Sequence, residues 1–230
     1  MPRRAPKKPD PSLDLSGHLR VLATDPLFAA APVDPRVLFP GVSVATPCDV
    51  EIGSGKGLFL GNASVADPGR LFVGVEISHG YARMAAARLA RRAAANAAVI
   101  SGDAGLLVRS LLPDACVQGI HVYFPDPWWK ARHRKRRVLS PTFLAHAGRV
   151  LAPGGLLHVW TDVEEYFREA MAAAAETGVF HPPEEVGERD ASHDLDYRTH
   201  FERRTRLAGD PVWRARLERS LTPAGVSRVE

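Results

Sequence analysis

Five short apolar runs mark the middle of the chain, and segments with helical spacing lie between them. The runs are CDVEIG from Cys48, LFVGVEIS from Leu71, AAVISGDA from Ala97, CVQGIHVYF from Cys116 and GLLHVWTD from Gly155. Buried parallel strands read as nearly continuous hydrophobic runs, and strands that alternate with helices form sheets covered on both faces. The pattern therefore predicts an α/β fold with a mostly parallel sheet and helices on both faces.

Two of the intervening segments carry clear helix signals. The alanine-rich segment 79–97 places Tyr81, Ala85 and Leu89 at i, i+4 and i+8, which predicts a helix that packs on the sheet. Ser140 is a candidate N-cap with Pro141 at the first helical position, and Pro-Gly-Gly at 153–155 ends this second helix.

The C-terminal end departs from this alternation. The segments THFERRTRL (199–207) and PVWRARLER (211–219) each alternate bulky with charged residues, and Ala-Gly-Asp separates them. This pattern predicts an antiparallel hairpin at the end of the sheet.

Composition places the chain among globular proteins. Its 230 residues are 45% hydrophobic and 24% charged, which excludes collagen-like, fibrous and wholly disordered classes. Residues 1–16 are rich in Pro, Lys and Arg, so we predict a flexible basic tail there and a single domain over 17–230. No apolar run approaches the ~20 residues of a membrane span, so we expect a soluble protein without a membrane partner.

The cysteines and histidines argue against a metal or a disulfide scaffold. Cys48 and Cys116 lie far apart with no CxxC pair, and none of the nine histidines has metal-ligand spacing. We expect reduced thiols, a cytoplasmic protein, no metal, and histidines that are hydrogen-bonded internally or exposed.

The positive charge is concentrated in two patches. Residues 1–10 carry +3 and residues 130–137 carry +6, whereas the whole chain has a formal net charge of +4. Localised positive charge is typical of a polyanion contact, which makes nucleic acid the leading partner. A solvated charge run is the alternative.

A glycine-rich loop follows the first apolar run. It reads Glu51-Ile-Gly-Ser-Gly-Lys-Gly57, and Leu58 stands where a dinucleotide-binding fingerprint requires its third glycine. A phosphate loop is excluded because neither Ser nor Thr follows the Gly-Lys pair. The GxGxG spacing after an acidic strand residue resembles the first motif of class I S-adenosylmethionine-dependent methyltransferases; a plain strand-to-helix turn is the alternative.

Acidic residues also end the next two strands. Glu76 lies where α/β nucleotide-binding folds present a carboxylate to ribose hydroxyls, although a solvated edge residue is an equal alternative. Asp103 would border an adenine or cap a helix. Because ligands of open α/β sheets bind at the carboxyl ends of the strands, we expect these positions to meet in one crevice.

The most specific motif is Phe124-Pro-Asp-Pro-Trp128, with Lys130 two residues later and a basic run to Arg137. Here the chain resembles the bacterial tRNA (guanine-N7)-methyltransferases, whose hallmark is this sequence followed by a lysine and a basic run. The resemblance covers roughly residues 48–220. Trp129 departs from it, because the family usually has a second proline there, and His200 replaces a family lysine.

The resemblance implies a Rossmann-like class I methyltransferase fold and the cofactor S-adenosylmethionine. The product would be 7-methylguanosine in the variable loop of tRNA, at roughly position 46 in tRNA numbering. We expect the cofactor to contact Glu51, Gly53, Gly55, Glu76, Asp103 and Asp126. Asp126 is also the candidate catalytic residue. Substrate contacts are expected from Lys130, Asp162, Thr199 and Glu202, and RNA contacts from Arg132, Arg134, Lys135, Arg136 and Arg137.

Simpler roles remain open for several of these residues. Asp126 can be a turn residue held by two prolines, Trp128 can stack on a base or pack in the core, and Asp162 can cap a helix. Thr199 and Glu202 can be ordinary strand residues. For the whole protein the alternatives are methylation of another RNA or a small molecule, or RNA binding without catalysis. A monomer and a homodimer are both compatible with the sequence.

Overall fold

The strands and helices alternate as the hydrophobic pattern predicts. The structure, a computed structural model, describes residues 10–188, 190–191 and 197–221. The strands are β1 (Leu19–Val21), β2 (Cys48–Ile52), β3 (Leu71–Glu76), β4 (Ala97–Ser101), β5 (Val117–Tyr123), β6 (Leu151–Thr161), β7 (Glu184–Glu185) and β8 (Trp213–Glu218). The helices are α1 (Leu58–Ala66), α2 (His79–Arg91), α3 (Ala104–Leu106, continued by a π-helical turn Leu107–Leu111), α4 (Pro141–Val150), α5 (Glu164–Thr177) and α6 (His200–Leu207).

One sheet of eight strands runs through the molecule in the order β1-β4-β3-β2-β5-β6-β8-β7. Strands β1 to β6 pair in parallel, and β8 pairs antiparallel with both β6 and β7. The strand order reverses at β2, which pairs with β3 on one side and β5 on the other. In open α/β sheets such a switch point creates a ligand crevice at the carboxyl ends of the strands.

Helices cover both faces of the sheet, as predicted. On one face Leu60 of α1 and Leu89 of α2 pack with Phe72. On the other face Leu144 of α4 and Tyr166 of α5 join the larger apolar core. The fold class inferred from the sequence, an α/β fold with a mostly parallel Rossmann-like sheet, is confirmed.

The two helices with clear sequence signals both form. Ser78 caps α2 through a hydrogen bond from the Tyr81 N–H, and α2 ends at Arg91, six residues before the predicted boundary. Ser140 caps α4 by accepting from the Phe143 N–H at 3.2 Å. The Pro-Gly-Gly segment 153–155 lies within β6 rather than at the end of α4.

The prediction of a C-terminal antiparallel hairpin is correct for its second strand only. An antiparallel strand, β8, does end the sheet, but the prediction of a strand over 199–207 was wrong because that segment contains α6. Thr199 accepts a hydrogen bond from the Glu202 N–H at 3.0 Å, and the Glu202 carboxylate accepts from the Arg198 N–H. These bonds resemble a capping box and satisfy N–H groups at the helix start. The antiparallel neighbours of β8 are β6 and β7 instead.

The structure describes residues 10–16 of the predicted tail. Residues 1–9 lie outside the described residues. Within the following stretch Leu15 is buried against Ala86 and Ala87 of α2, with Leu13 beside it. The boundary between a tail at 1–16 and a domain at 17–230 therefore stays a prediction.

Candidate functional site

A cavity of about 1180 Å³ opens at the carboxyl ends of β2, β3, β4 and β5. The six predicted cofactor-contact residues all line it, so the structure brings together positions up to 75 residues apart: Glu51, Gly53, Gly55, Glu76, Asp103 and Asp126. This is the crevice that the strand order places beside β2.

The glycine loop owes its shape to three left-handed residues. Gly53, Gly55 and Gly57 have φ values of +74°, +53° and +69°, a region that side chains disfavour. A Cβ on Gly57 would lie 2.8 Å from the Cβ of Ala85, so this glycine lets α1 approach α2. A Cβ on Gly53 would meet no atom within 4 Å, which leaves open space for a ligand against the main chain.

Glu76 fixes the glycine loop to the start of α2. Its Oε2 accepts from the Gly55 N–H at 2.9 Å and its Oε1 from the Ser78 N–H at 2.8 Å. The residue is buried, so the alternative of a solvated edge residue is wrong. Because both oxygens hold main-chain groups, the carboxylate is immobilised at the cavity wall.

Glu51 is a carboxyl group buried next to another acid. Oε2 of Glu51 has no hydrogen-bond partner among the described residues. Burial, and to a smaller extent the nearby Glu76 carboxylate, raises the pKa of Glu51 to about 8. At neutral pH the group is therefore mainly protonated, and it brings a buried, unpartnered polar atom to the cavity lining.

Asp103 caps α3, which is one of the two roles predicted for it. Its Oδ1 accepts from the Gly105 N–H at 2.7 Å and from the Leu106 N–H at 3.2 Å. The residue is exposed on the cavity side, so the cap also holds a carboxylate at the wall.

The segment 124–128 crosses the cavity mouth in a fixed conformation. Phe124 and Trp128 have positive φ values of +50° and +46°, and Asp126 lies exposed between them. The Phe124 N–H donates to the Trp160 carbonyl at 2.8 Å, and Nε of Arg137 donates to the Pro127 carbonyl at 2.7 Å. Main-chain contacts at both ends therefore reinforce the two prolines, and the Asp126 side chain is not needed to hold the turn.

The basic run divides into two groups. Arg137 lines the cavity but is buried, and it pairs with Glu169 and stacks over Tyr166 at 4.8 Å. These contacts give it a structural role, and its predicted RNA contact stays a prediction. Arg134 reaches Glu165 at 3.0 Å and Glu169 at 3.3 Å on α5. The exposed members of the run are Lys130, Arg132, Arg134, Lys135 and Arg136, and of these Lys135 and Arg136 line the cavity.

The predicted substrate residues do not all converge. Thr199 lines the cavity while capping α6. Glu202 is 2% exposed, and its carboxylate accepts from the Arg198 N–H and approaches the guanidinium groups of Arg206 and Arg214, at 3.3 and 3.8 Å. An internal ion-pair network thus engages this carboxylate behind the cavity wall.

Lys130 and Asp162 are exposed, and neither is among the lining residues. The helix-cap alternative for Asp162 is wrong, because Val163 occupies the N-cap of α5.

Sequence reasoning missed an aromatic wall on α6. Phe201 stacks on Phe124 with ring centroids 6.0 Å apart, and the Arg204 guanidinium lies 4.2 Å from the Phe201 ring. All three side chains line the cavity. The i, i+3 spacing of Phe201 and Arg204 was a helical signal, but the strand assignment of 199–207 concealed it.

A buried polar chain lies under the cavity. Asp49 accepts from Nε2 of His121 at 2.9 Å, and Nδ1 of His121 lies 2.8 Å from the Tyr123 hydroxyl. Burial opposes ionisation of Asp49, but the hydrogen bonds from His121 and Arg70, together with the Arg70 charge, outweigh it and lower the Asp49 pKa. Burial lowers the His121 pKa, so a neutral imidazole donates to a carboxylate. The expectation of an internally hydrogen-bonded histidine is confirmed here.

Two further properties concern membranes and metals. Among residues 10–188, 190–191 and 197–221, no helix has the length and apolar character needed to cross a bilayer. The same described residues contain no group of three or more His, Cys, Asp or Glu side chains arranged to hold a metal ion.

Comparison with known proteins gives a consistent family. A family model described as "Putative methyltransferase" matches residues 45–215. The tRNA (guanine-N(7)-)-methyltransferase of Rhodopirellula baltica is 45% identical over 93% of this chain and 79% of its own. The enzymes of the same name from Sodalis glossinidius and Anaeromyxobacter dehalogenans are 33% and 40% identical over 81% and 74% of this chain, and over 77% and 84% of theirs.

Solved structures share the fold at lower identity. The 16S rRNA (adenine(1408)-N(1))-methyltransferase of Catenulisporales acidiphilia, solved with its cosubstrate, has a TM-score of 0.54 at 19% identity, covering 80% of this chain and 91% of that one. An O-methyltransferase of Thermotoga maritima has a TM-score of 0.54 at 11% identity, covering 77% of this chain and 60% of its own. These similarities support the fold alone.

Proposed function

The chain belongs to the tRNA (guanine-N(7)-)-methyltransferase family, and on this basis we propose that it methylates N7 of a guanine in tRNA with S-adenosylmethionine. The guanine is that of the variable loop, at roughly position 46 in tRNA numbering. The observation that carries the proposal is the 45% identity over 93% of the chain, combined with six predicted cofactor positions around one cavity.

The residues around the cavity fit S-adenosylmethionine. The unpartnered Oε2 of Glu51 and the open face of Gly53 provide a polar atom and space at the glycine loop. The Glu76 and Asp103 carboxylates, each fixed by main-chain N–H groups, lie where ribose and adenine would be held. We assign cofactor binding to these residues and to Gly55 and Asp126.

The reaction requires orientation more than proton transfer. S-adenosylmethionine supplies a methyl group on a positively charged sulfur. Guanine N7 has an in-plane lone pair and needs no deprotonation, so the protein's task is alignment and exclusion of water. Asp126 would stabilise positive charge as it moves onto the purine, because its carboxylate is held at the cavity mouth by a rigid segment.

The tRNA would approach over the exposed cations next to Asp126. Lys135 and Arg136 line the cavity, and Arg132 is exposed beside them in sequence. Cationic side chains bind phosphate without reading sequence, so they position the RNA rather than select the base. Thr199, Lys130 and Asp162 stay proposed substrate contacts on the basis of the family resemblance.

We also propose that the protein acts in the cytoplasm, as a monomer or a homodimer and without a metal. Cys48 and Cys116 are buried free thiols, which supports a reducing compartment. A reducing compartment is also where a tRNA substrate is found.

One experiment tests the reaction directly. The purified protein would be incubated with methyl-labelled S-adenosylmethionine and either bulk tRNA or ribosomal RNA, the modified nucleotide would be mapped, and cofactor binding would be titrated separately. We expect label as 7-methylguanosine in the variable loop. Label in ribosomal RNA but not tRNA would overturn the substrate, and absence of cofactor binding would leave an RNA-binding protein without catalysis.

A further inference from the structure

Two adjacent tryptophans differ in what surrounds them. Trp128 lines the cavity, with the Arg136 guanidinium 5.0 Å from its ring and the edge of His133 at 5.7 Å. Trp129 does not line the cavity and is 63% exposed. Contacts within the protein therefore engage the Trp128 ring, whereas the Trp129 ring faces solvent at the edge of the site.

The charge around Trp129 narrows the choice of partner. Exposed cations accompany it within seven residues, namely Lys130, Arg132, Lys135 and Arg136. Glu165 and Glu169 pair with Arg134 and Arg137, so Asp126 is the one exposed carboxylate within seven residues of Trp129 on either side, against these four cations. A large aromatic face among cations matches a ligand that has both a planar ring and a negative backbone.

An unpaired nucleotide has both features. Stacking of a base on an exposed aromatic ring is tolerant of base identity, because every base presents a π-face, and neighbouring cations bind the backbone phosphates. A flat protein surface or a second copy of this chain would cover the Trp129 ring but would not supply negative charge to the surrounding cations.

We propose that Trp129 is a stacking platform for an unpaired base of the tRNA next to the target nucleotide. The proposal rests on the proposed function, because it takes tRNA as the molecule at the cavity mouth. It adds a contact with the substrate outside the cavity. This contact is a stacking interaction, which salt does not screen.

The test separates stacking from charge. Trp129→Ala should weaken tRNA binding about 10-fold, since base stacking on an aromatic side chain is worth about 1–3 kcal/mol. The slope of log affinity against log salt should stay that of the wild type, because no phosphate contact is lost. Trp129→Phe should restore most of the affinity. Val65→Ala, at a side chain 69% exposed on α1, is the matched control for loss of an exposed apolar group.

Fluorescence checks direct contact. Quenching on addition of tRNA should be smaller for Trp129→Phe than for the wild type, because a stacked base quenches indole emission. Cofactor titration and methylation of tRNA by the wild type are measured in parallel, so failure of the proposed function is seen there and nowhere else. With an active wild type, an unchanged tRNA affinity for Trp129→Ala would overturn the platform. A wild-type dimer that this variant dissociates, at unchanged tRNA affinity, would assign the surface to self-association instead.

Discussion

The cavity has a floor and a rim that are built on different physical principles. The floor consists of Glu51, Gly53, Gly55 and Glu76. Its two carboxyl groups are buried, and that of Glu76 accepts from the Gly55 N–H. The rim consists of Asp126 and residues 130–137, most of which are exposed. A buried, hydrogen-bonded floor binds a small ligand by fixed geometry and is insensitive to salt. An exposed cationic rim binds a polyanion by charge, and salt screens it.

The largest expected effect concerns ionisation at the floor. The folded protein raises the Glu51 pKa from an ordinary 4.5 to about 8, so between these values it binds a proton that the unfolded chain has lost. The contribution of Glu51 to stability is therefore fully present below about pH 4.5 and is lost as pH rises towards 8, by up to about 1.4 kcal/mol per pH unit. Glu51→Gln should remove this loss.

Denaturant unfolding of wild type and Glu51→Gln at several pH values within this window measures the difference. Parallel stability curves for the two proteins would show that Glu51 ionises normally and that the floor is wetter than its burial implies.

The next effect concerns catalysis at the rim. Asp126→Asn keeps the size and turn preference of the residue but removes the charge, and Arg137 still holds the segment through Pro127. The single-turnover rate at saturating tRNA should fall by about 10²-fold, or ~2.7 kcal/mol of transition-state stabilisation. If Asp126→Asn reacted at the wild-type rate, Asp126 would have no role in the transition state and would be a turn residue or a ground-state contact.

A smaller effect is expected from the anchor of the glycine loop. Glu76→Ala leaves the Gly55 and Ser78 N–H groups without their acceptor, so S-adenosylmethionine affinity should drop by about 10-fold and thermal stability should also fall. Glu76→Gln retains one acceptor oxygen and should lie between. Unchanged affinity by calorimetric titration, with normal unfolding, would remove Glu76 from the cofactor site.

The smallest effect divides the rim itself. Replacing Lys135 and Arg136 by Ala should flatten the salt dependence of tRNA binding by about 0.7–0.9 slope units per lost phosphate contact. Arg134→Ala should change the slope less, because its guanidinium pairs with Glu165 and Glu169. If all three variants reduce the slope equally, tRNA displaces the carboxylates from Arg134 and the division is wrong.

The comparison also explains which residues could be predicted. The floor was predictable because Glu51, Gly53 and Glu76 belong to strand ends, and the carboxyl ends of parallel strands meet at one edge. At the rim, the motif predicted Asp126, but the sequence did not predict which cations of the run 130–137 are buried and which are exposed. The sequence does not distinguish Arg137, buried on Tyr166, from Arg136, exposed at the cavity, although the two residues are adjacent.

The α6 segment shows that local sequence patterns also failed to predict one secondary-structure element. Alternation of bulky and charged residues over 199–207 fits a strand as well as a helix with one buried face. The Thr199 cap and the pairing of Glu202 with Arg206 and Arg214 favour the helix, and Arg214 is contributed by β8. The last of these contacts exists only when the chain has folded.

The sequence by itself determined the α/β class, five of the parallel strands, the glycine loop, the acidic strand ends and the family. These are local properties, since hydrophobic period, glycine spacing and short motifs act within a few residues. Tertiary structure alone decided which charges are buried, that the Glu202 carboxylate is turned to an internal network, and that Phe201 and Arg204 form a cavity wall. Burial and ion pairing depend on residues distant in sequence, whose proximity no local pattern encodes.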